Sequence, residues 1–414
     1  MTGRAYVAGV GMTPFGRHAD RTMRSLAAEA VAAALTDAGA AASDVEIVFF
    51  ANVGQGAIEG QHAVRGQIAL AAAGIEGVPV VNVENACASS STALSLAYAQ
   101  VAHGAVDVAL VVGAEKMCVP DRERIAAVFD GCWDVAHAPE NSASLSDVGR
   151  HLIPETAQSL PKAQSVFMEI YAGIARSHME TFGTTVEQIA AAASKNHGHS
   201  VGNPLSQFRQ DFDLAEVLGG RPVAWPLTVP MCSPVSDGAA ALVVCSPRAL
   251  QRLGRNRAVR ILSSIVRSGR DRPLGDHREH VSHLAAVAAY EQAGVEPKDI
   301  SVAEVHDATS FAEILQTENL MFCGFGDGGP LAESGATRIG GRIPVNPSGG
   351  LVSKGHPIGA TGAAQIFELV TQLRDEAGPR QVEGARLAIA ENGGGFRSVE
   401  EAAVCITVLE GPPS

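Results

Sequence analysis

The 414-residue chain carries 31 basic and 44 acidic side chains, which gives a formal net charge of −13. Such an acidic chain is a poor match for nucleic acid or for an anionic membrane, and we expect neither as a partner. No apolar run is long enough to span a membrane, and the N-terminus lacks the apolar region of a signal peptide, so a cytoplasmic location is predicted.

Hydrophobic residues make up 46% of the chain, with 44 glycines and only 5% aromatic residues. This composition favours helices packed closely on sheets, and the length suffices for two or three core-sized units. The seven cysteines are scattered and form no C-x-x-C pair. The sequence therefore predicts neither a disulfide framework nor a metal site.

From the N-terminus the sequence alternates between predicted strands and helices. Residues 4–10 indicate a strand, residues 25–38 an alanine-rich helix that ends at Gly39, and residues 45–51 the next strand. This alternation favours mostly parallel sheets covered by helices.

A cysteine stands at the junction of the following strand and helix. Residues 78–83 predict a strand and the small residues at 88–102 predict a helix, which places Cys87 at a helix start. Unpaired backbone N–H groups and the positive end of the helix dipole favour a thiolate there. Cys87 is thus a candidate nucleophile, with a buried structural thiol as the alternative.

A histidine stands at a similar junction late in the chain. Within residues 349–364, His356 precedes a second small-residue helix, and Pro357 fixes the chain at the helix entry. If the fold brings His356 to Cys87, the two side chains form a nucleophile and its base. Otherwise His356 only caps the helix.

Two pairs of similar segments in the sequence predict an internal duplication. The helix at 284–294 and the strand at 302–305 match residues 29–50 in order and spacing. The Cys87 segment, with its following helix and strand, likewise parallels the His356 segment. Two similar α/β halves are therefore predicted, with their functional loops meeting at strand ends.

The alternation lapses between residues 118 and 223. Helices are predicted at 165–182 and 185–199, and a buried strand follows the Asp-Gly turn within 233–245. Residues 118–223 are therefore predicted to form a segment that does not follow the α/β pattern. This segment either covers the surface or shapes the site.

Five segments, in this order, resemble the landmarks of the thiolase superfamily, and most of all those of sterol-carrier-protein-type and archaeal thiolases: the surroundings of Cys87 and residues 113–117, 305–308, 355–362 and 392–395. The resemblance covers nearly the whole chain. It implies an α/β fold of duplicated halves in five layers, α-β-α-β-α, with mostly parallel sheets and an inserted loop domain. The implied units are an N-terminal half at 1–117 plus 224–257, a loop domain at 118–223 and a C-terminal half at 258–414.

The resemblance also implies roles for individual residues. Cys87 attacks a thioester carbonyl and becomes acylated, and His356 takes the thiol proton and returns it to the leaving sulfur. His306 donates a hydrogen bond to the thioester oxygen. The backbone N–H groups of Cys87 and Gly394 form a second oxyanion hole, with Gly394 in a glycine loop.

Coenzyme A is the co-substrate that the resemblance implies, with no permanently bound cofactor and no metal. The loop domain shapes the acyl and coenzyme pocket, and Ser353 and Gly355 are the predicted coenzyme contacts. A homodimer or homotetramer is expected.

One departure from the family pattern concerns the acid/base cysteine. Thiolases place it at the position of Asn392 or, in sterol-carrier-type relatives, of Ala308, and this sequence has neither cysteine. A Claisen condensation needs a base near the substrate α-carbon, and neither an amide nor a methyl group can serve. The candidates for a replacement are His62, His137, His151 and Cys323.

Three functions stay open at this point. The first is an acyltransferase on acyl-CoA thioesters that works through a Cys87 acyl-enzyme, in lipid or sterol metabolism. The second is a retro-aldol lyase that cleaves a β-hydroxyacyl-CoA side chain together with a small OB-fold partner. The third is a non-catalytic subunit that binds acyl-CoA or lipid.

Overall fold

The computed structural model describes residues 3–158, 165–253 and 257–413. The strands within these residues are β1 (Ala5–Met12), β2 (Ile47–Ala51), β3 (Val80–Val83), β4 (Val108–Glu115), β5 (Pro222–Ala224), β6 (Leu227–Thr228), β7 (Gly238–Cys245), β8 (Val259–Ser268), β9 (Val302–Glu304), β10 (Leu387–Arg397) and β11 (Glu400–Glu410). The α-helices are α1 (Met23–Ala38), α2 (Gln55–Glu59), α3 (Arg65–Ala71), α4 (Ser89–Ala102), α5 (Arg122–Asp130), α6 (Ala138–Asp147), α7 (Glu155–Gln158), α8 (Val166–Phe182), α9 (Val186–Val201), α10 (Leu214–Leu218), α11 (Pro247–Leu253), α12 (Val281–Ala293), α13 (Ser310–Asn319), α14 (Gly328–Glu333), α15 (Gly350–Lys354) and α16 (Thr361–Leu373).

Nine strands form one continuous sheet in the order β3-β2-β4-β7-β1-β8-β11-β10-β9. The antiparallel pairing of β1 with β8 joins an N-terminal half to a C-terminal half. Within each half all strands but one run in the same direction, the exceptions being β7 and β11. Each half is therefore mostly parallel in strand direction, as predicted. Five of the eight neighbouring pairs are nevertheless antiparallel: four involve the reversed strands β7 and β11, and the fifth is the β1–β8 pair between the halves.

The sheet halves and their helices form the five predicted layers. Helices α4 and α16 pack on each other and lie between the two halves of the sheet, while α1 covers the outer face of one half and α12 that of the other. Successive residues of β4 show why the strand is apolar throughout, because Val111 faces the central helices and Leu110 faces α1.

The duplication is visible in local structure. Helices α1 and α12 both end at a glycine in the left-handed conformation, with φ of 67° at Gly39 and 71° at Gly294. A short 3₁₀ turn and a strand follow in each case. The glycines carry this conformation at no steric cost, which is why both copies use Ala-Gly to end the helix.

The segment between β4 and β7 builds a separate apolar cluster. Helices α8 and α9 lie close to the positions predicted for them, and the cluster includes Phe167, Tyr171 and Ile189. Residues 159–164 of the predicted loop domain lie outside the described residues. Among the described helices, none is both long and apolar enough to cross a membrane.

Candidate active site

Cys87 lies in a tight turn between β3 and α4. Ala86 holds the left-handed conformation, with φ of 47°, and turns the chain immediately before the cysteine. The Ser89 hydroxyl donates to the Ala86 carbonyl at 2.6 Å and accepts from the Asn85 N–H at 2.9 Å. One side chain of the first helical turn therefore fixes the loop that presents Cys87, which is only 8% exposed.

His356 is oriented by its own neighbours. Its backbone N–H donates to the Ser236 hydroxyl at 2.9 Å, and its Nδ1 lies 2.7 Å from the Thr361 hydroxyl. Since that hydroxyl donates its proton to the Pro357 carbonyl at 3.0 Å, it accepts from Nδ1–H. This arrangement leaves Nε2 as an acceptor.

The two side chains meet, with His356 Nε2 3.2 Å from Cys87 Sγ. Burial, followed by the neighbouring Cys132, raises the pKa of the Cys87 thiol well above its usual value. Burial and the adjacent His306 lower the pKa of His356 well below its ordinary value. The resting pair is therefore a neutral thiol that donates to a neutral imidazole.

The expectation of a resting thiolate is wrong. Helix α4 begins at Ser89, two residues after the cysteine. The dipole effect is confined to the ends of a helix, whereas burial removes the charged form from water entirely. Any thiolate at Cys87 therefore has to form against the cost of burial, and His356 Nε2 is the proton acceptor within hydrogen-bond distance of it.

His306 follows β9 and faces the same pair. Its backbone N–H donates to the Glu391 carboxylate at 2.9 Å, but neither ring nitrogen has a hydrogen-bond partner among the described residues. Burial lowers the pKa of His306 to about 3, so the ring is neutral. One ring nitrogen of His306, one ring nitrogen of His356 and the Cys87 sulfur lie within 4.8 Å of one another. A buried ring with one unused donor is suited to a substrate oxygen.

Gly394 brings β10 against the cysteine turn. A Cβ at this position would lie 2.2 Å from the Asn85 carbonyl oxygen and 2.6 Å from the Ala88 nitrogen. The predicted glycine loop is wrong, because the three glycines at 393–395 lie within β10, and Gly394 pairs with Ala403 of β11. The absence of side chains is what lets this strand pass beside Cys87.

One cavity joins these residues. Its wall contains the three predicted catalytic side chains, Cys87, His306 and His356, together with Gly394. The remaining lining is mainly apolar and aromatic, and includes Phe129, Cys132, Phe167, Met168, Tyr171, Ala308, Ile358, Phe396 and Glu401. Most of the aromatic wall comes from the segment between β4 and β7, where the sequence offered no periodic signal for a site.

The predicted replacements for the missing cysteine lie elsewhere. The side chains of His137 and His151 are 67% and 66% exposed, near Asp134 and Glu180 respectively, so the interpretation that they face the site is wrong. His62 is also exposed, and Cys323 does not line this cavity. Two side chains that the sequence did not single out, Cys132 and Glu401, line it instead.

Ser353 and Gly355 support the His356 loop. Ser353 is fully buried and donates to the Ser200 hydroxyl at 2.7 Å. Gly355 has φ of 112°, and a Cβ there would lie 2.7 Å from the Ser236 hydroxyl. Neither residue lines the catalytic cavity, and their contact with coenzyme A stays a prediction.

An open cleft lies next to the cavity, and Phe129 lines both. The described residues that line this cleft include Arg17, Arg122 and Arg221 and no carboxylate. Guanidinium groups are well suited to phosphates, so the cleft can take the phosphorylated end of a coenzyme whose thioester enters the cavity.

Fold and site together define a class of protein. A buried cysteine–histidine pair, a neutral hydrogen-bond donor and a mainly apolar cavity between two α/β halves are the components of an enzyme that transfers acyl groups by way of a sulfur nucleophile.

Comparison with known proteins identifies the family. The "Thiolase, N-terminal domain" model matches residues 5–212, and the "Thiolase C-terminal domain-like" model matches residues 276–407. Sterol carrier protein 2 of Oryctolagus cuniculus is 38% identical over 401 residues, which are 94% of this chain and 69% of that protein. Acetyl-CoA acetyltransferase of Methanothermobacter thermautotrophicus is 38% identical over 395 residues, 94% of this chain and 96% of that protein.

A solved structure, the Ltp2-ChsH2(DUF35) aldolase, superposes with a TM-score of 0.77 at 24% identity and covers 100% of this chain and 99% of that one. This likeness concerns the fold. The chain belongs to the thiolase family, and it is an acyltransferase of that family. The resemblance inferred from the motifs is thereby confirmed.

Proposed function

We propose that the protein transfers acyl groups from coenzyme A thioesters through a covalent acyl-enzyme on Cys87. The observation that carries this proposal is the 3.2 Å contact between Cys87 Sγ and His356 Nε2 inside a cavity that also holds His306. A thiol with an adjacent oriented base is the standard composition of an activated nucleophile.

In the first step, His356 Nε2 takes the Cys87 proton while the sulfur attacks the thioester carbonyl. Negative charge then develops on the carbonyl oxygen, and the N–H of the neutral His306 ring is positioned to donate to it. The backbone N–H groups of Cys87 and Gly394 are the proposed second oxyanion hole. Donors fixed in a water-poor cavity stabilise such charge more than water does, because they need no reorganisation.

The neutral resting pair suits this order of events. The thiolate exists only once a substrate is in place, because burial disfavours a separated thiolate and imidazolium in the empty cavity. Thr361 keeps the proton on Nδ1, so that Nε2 is free to accept. When the coenzyme sulfur leaves, the acyl group remains on Cys87 as a thioester and stays activated for transfer.

The cleft and the cavity are proposed to hold different parts of the substrate. We place the phosphorylated part of coenzyme A in the cleft with Arg17, Arg122 and Arg221, and the acyl group in the aromatic cavity beyond Phe129. The walls formed by Phe167 and Phe396 favour an apolar acyl group, which is consistent with a role in lipid or sterol metabolism.

Intact-protein mass spectrometry tests the proposal. Incubation with acetyl-, butyryl-, octanoyl- or benzoyl-CoA alone is expected to add the mass of one acyl group to the wild-type chain. The adduct is expected to be absent from Cys87→Ser and present in Cys323→Ser, which removes a thiol outside the cavity. No adduct with any of these thioesters would refute the proposal.

A retro-aldol lyase with an OB-fold partner is the second candidate. It is favoured by Ala308, which lines the cavity where sterol-carrier-type relatives have a cysteine, and it needs no acyl-enzyme. Full cleavage of a β-hydroxyacyl-CoA by Cys87→Ala would support this candidate. Binding of acyl-CoA with neither adduct nor turnover would instead support a non-catalytic subunit.

We also expect a homodimer or homotetramer. Strand β3 ends the sheet in the N-terminal half and has β2 as its strand neighbour in the described sheet, and Val81 on it is 40% exposed. A free strand edge with an exposed apolar side chain is suited to pairing with a second copy. Light scattering on the purified chain measures the assembly directly.

A further inference from the structure

Cys132 is held against β10 by a backbone hydrogen bond. It follows α5, and its carbonyl accepts from the Phe396 N–H at 3.1 Å, next to a bridge between Trp133 and Phe396. Its thiol donates to the Val128 carbonyl at 3.2 Å. Cys132 lines the cavity that contains Cys87, and it is the largest influence on the pKa of Cys87 after burial. The two sulfurs are therefore neighbours in one cavity.

The cavity needs a proton carrier that the family positions do not supply. Ala308 has no titratable group. Asn392 does not line the cavity, and its side-chain amide oxygen accepts a hydrogen bond from the Ser91 hydroxyl at 2.8 Å. Transfer to or from a carbon acceptor requires a group that removes or supplies the proton at the carbon beside the thioester carbonyl.

The other titratable groups of the cavity either have another role already or are poorly suited to exchange a proton with the substrate α-carbon. His356 serves Cys87, and the pKa of His306 is lowered to about 3, which makes it a weak base. The Tyr171 hydroxyl has a pKa raised by burial well above its usual range. Glu401 has a pKa raised by burial to about 7, but both of its carboxylate oxygens already accept hydrogen bonds, one from Ser282 and one from Gln316.

We propose that Cys132, contributed by the segment between β4 and β7, is the acid/base residue that exchanges a proton with the α-carbon of the second acyl substrate. This inference rests on the proposed acyl-enzyme at Cys87. It would give the enzyme carbon–carbon bond chemistry despite the alanine at 308 and the asparagine at 392.

The protons balance over one condensation cycle. During acylation the Cys87 proton moves to His356, and the departing coenzyme sulfur takes the proton of Cys132, which becomes a thiolate. The thiolate then removes an α-proton from a second acyl-CoA, and the carbon forms a bond to the acyl carbon as its bond to Cys87 breaks. The released Cys87 sulfur takes the proton back from His356. Cleavage follows the same steps in reverse.

Burial suits Cys132 to this role. It raises the pKa of the thiol to about 12, with Glu84 and Glu115 adding to the effect, so the resting side chain keeps its proton. A thiolate formed there after acylation is a strong base that lies near the positive His356 imidazolium. The Cys132 thiolate therefore exists only while Cys87 carries an acyl group. Without an acyl group on Cys87, Cys132 keeps its proton and removes none from a substrate.

Deuterium exchange separates this inference from the proposed function. The wild-type chain is incubated in D₂O with the thioester that forms the Cys87 adduct, and deuterium at the α-carbon of the recovered acyl-CoA is measured. We expect exchange by the wild type, a loss of about 100-fold or more in Cys132→Ala and in Cys132→Ser, and normal exchange in Cys323→Ala. The Cys87 adduct is still expected in both Cys132 variants, which shows that they fold and acylate.

Three results would overturn the inference. They are exchange in Cys132→Ala within threefold of wild type, a loss of exchange confined to Glu401→Gln, and a wild-type adduct without exchange. Each of these leaves the acyl-enzyme intact. An absent wild-type adduct would refute the acyl-enzyme itself and the role of Cys132 with it.

Discussion

The Cys87 and His356 segments occupy matching places in the two halves but carry different chemistry. Each precedes a helix of the central layer, α4 or α16, and each side chain is buried, at 8% and 6% exposure. The backbone before Cys87 turns at Ala86, whereas the backbone before His356 turns at Gly355. The same local architecture, a loop followed by a central helix, thus supplies a thiol in the first half and an imidazole in the second.

This difference teaches that the site belongs to the contact between the halves. Gly362 of α16 lies so close to α4 that a Cβ there would be 2.6 Å from the Ser91 nitrogen. The close approach of the two helices fixes the distance between sulfur and imidazole. Neither half alone contains both members of the Cys87–His356 pair.

The largest expected effect comes from removing either member of the pair. Cys87→Ala and His356→Ala are each expected to lower acyl transfer by about 10⁴-fold or more, and the double variant by no more than the worse single one, because the two groups act as a unit. Coenzyme A release, followed by chromatography, measures all three. Losses that multiply in the double variant would show that the two residues act independently.

Removal of the oxygen-facing imidazole is expected to have the next largest effect. His306→Ala should lower kcat by about 10²–10³-fold with little change in KM, because the donor acts on charge that develops during the reaction. His283→Ala is the matched control, since it removes a partly buried histidine outside the cavity. An unchanged kcat in His306→Ala would remove this residue from the mechanism.

A smaller effect is expected at the residue that orients the base. Thr361→Val removes the hydroxyl that accepts from His356 Nδ1 and should lower kcat by about 10-fold. Thr361→Ser keeps a hydroxyl and should restore most of the activity. If both variants lose activity equally, the methyl group rather than the hydrogen bond is what matters at this position.

The mildest test changes only pH. The pKa of His356 is lowered by burial and by His306, so the base stays unprotonated at pH values where an ordinary histidine is charged. As the pH falls, the acylation rate should hold through about pH 6.5 and decline only below it. The pH dependence of kcat/KM measures this, and a rate already halved at about pH 6.5 or above would contradict the assignment.

The sequence predicted the framework of the site for identifiable reasons. Small-residue helices after Cys87 and His356, each preceded by a distinctive motif, indicated two functional loops, and the repeated Ala-Gly helix ends indicated two halves. The predicted helix at 88–102 differs by one residue from the observed Ser89–Ala102. Local patterns of this kind are determined by neighbours in the chain.

The rest of the site depends on contacts between distant segments. Cys132 and Tyr171 reach the cavity because the loop segment packs on Phe396 of β10, and Glu401 reaches it from β11. No local pattern encodes these contacts. The same limit explains the wrong thiolate prediction, since a helix start is visible in the sequence but the burial of Cys87 is not. His137 is a titratable residue in a segment expected to shape the site, yet it lies at the surface, immediately before α6.

Rapid-quench peptide mapping tests the central claim most directly. The wild-type chain is mixed with an acyl-CoA, quenched at successive times and digested, and the acyl mass on the peptide containing Cys87 is compared with the coenzyme A released. We predict that the two appear together, in equal amounts and at the same rate, before any acyl product forms. Release of coenzyme A without acyl mass on Cys87, or acyl mass on another residue, would contradict the account.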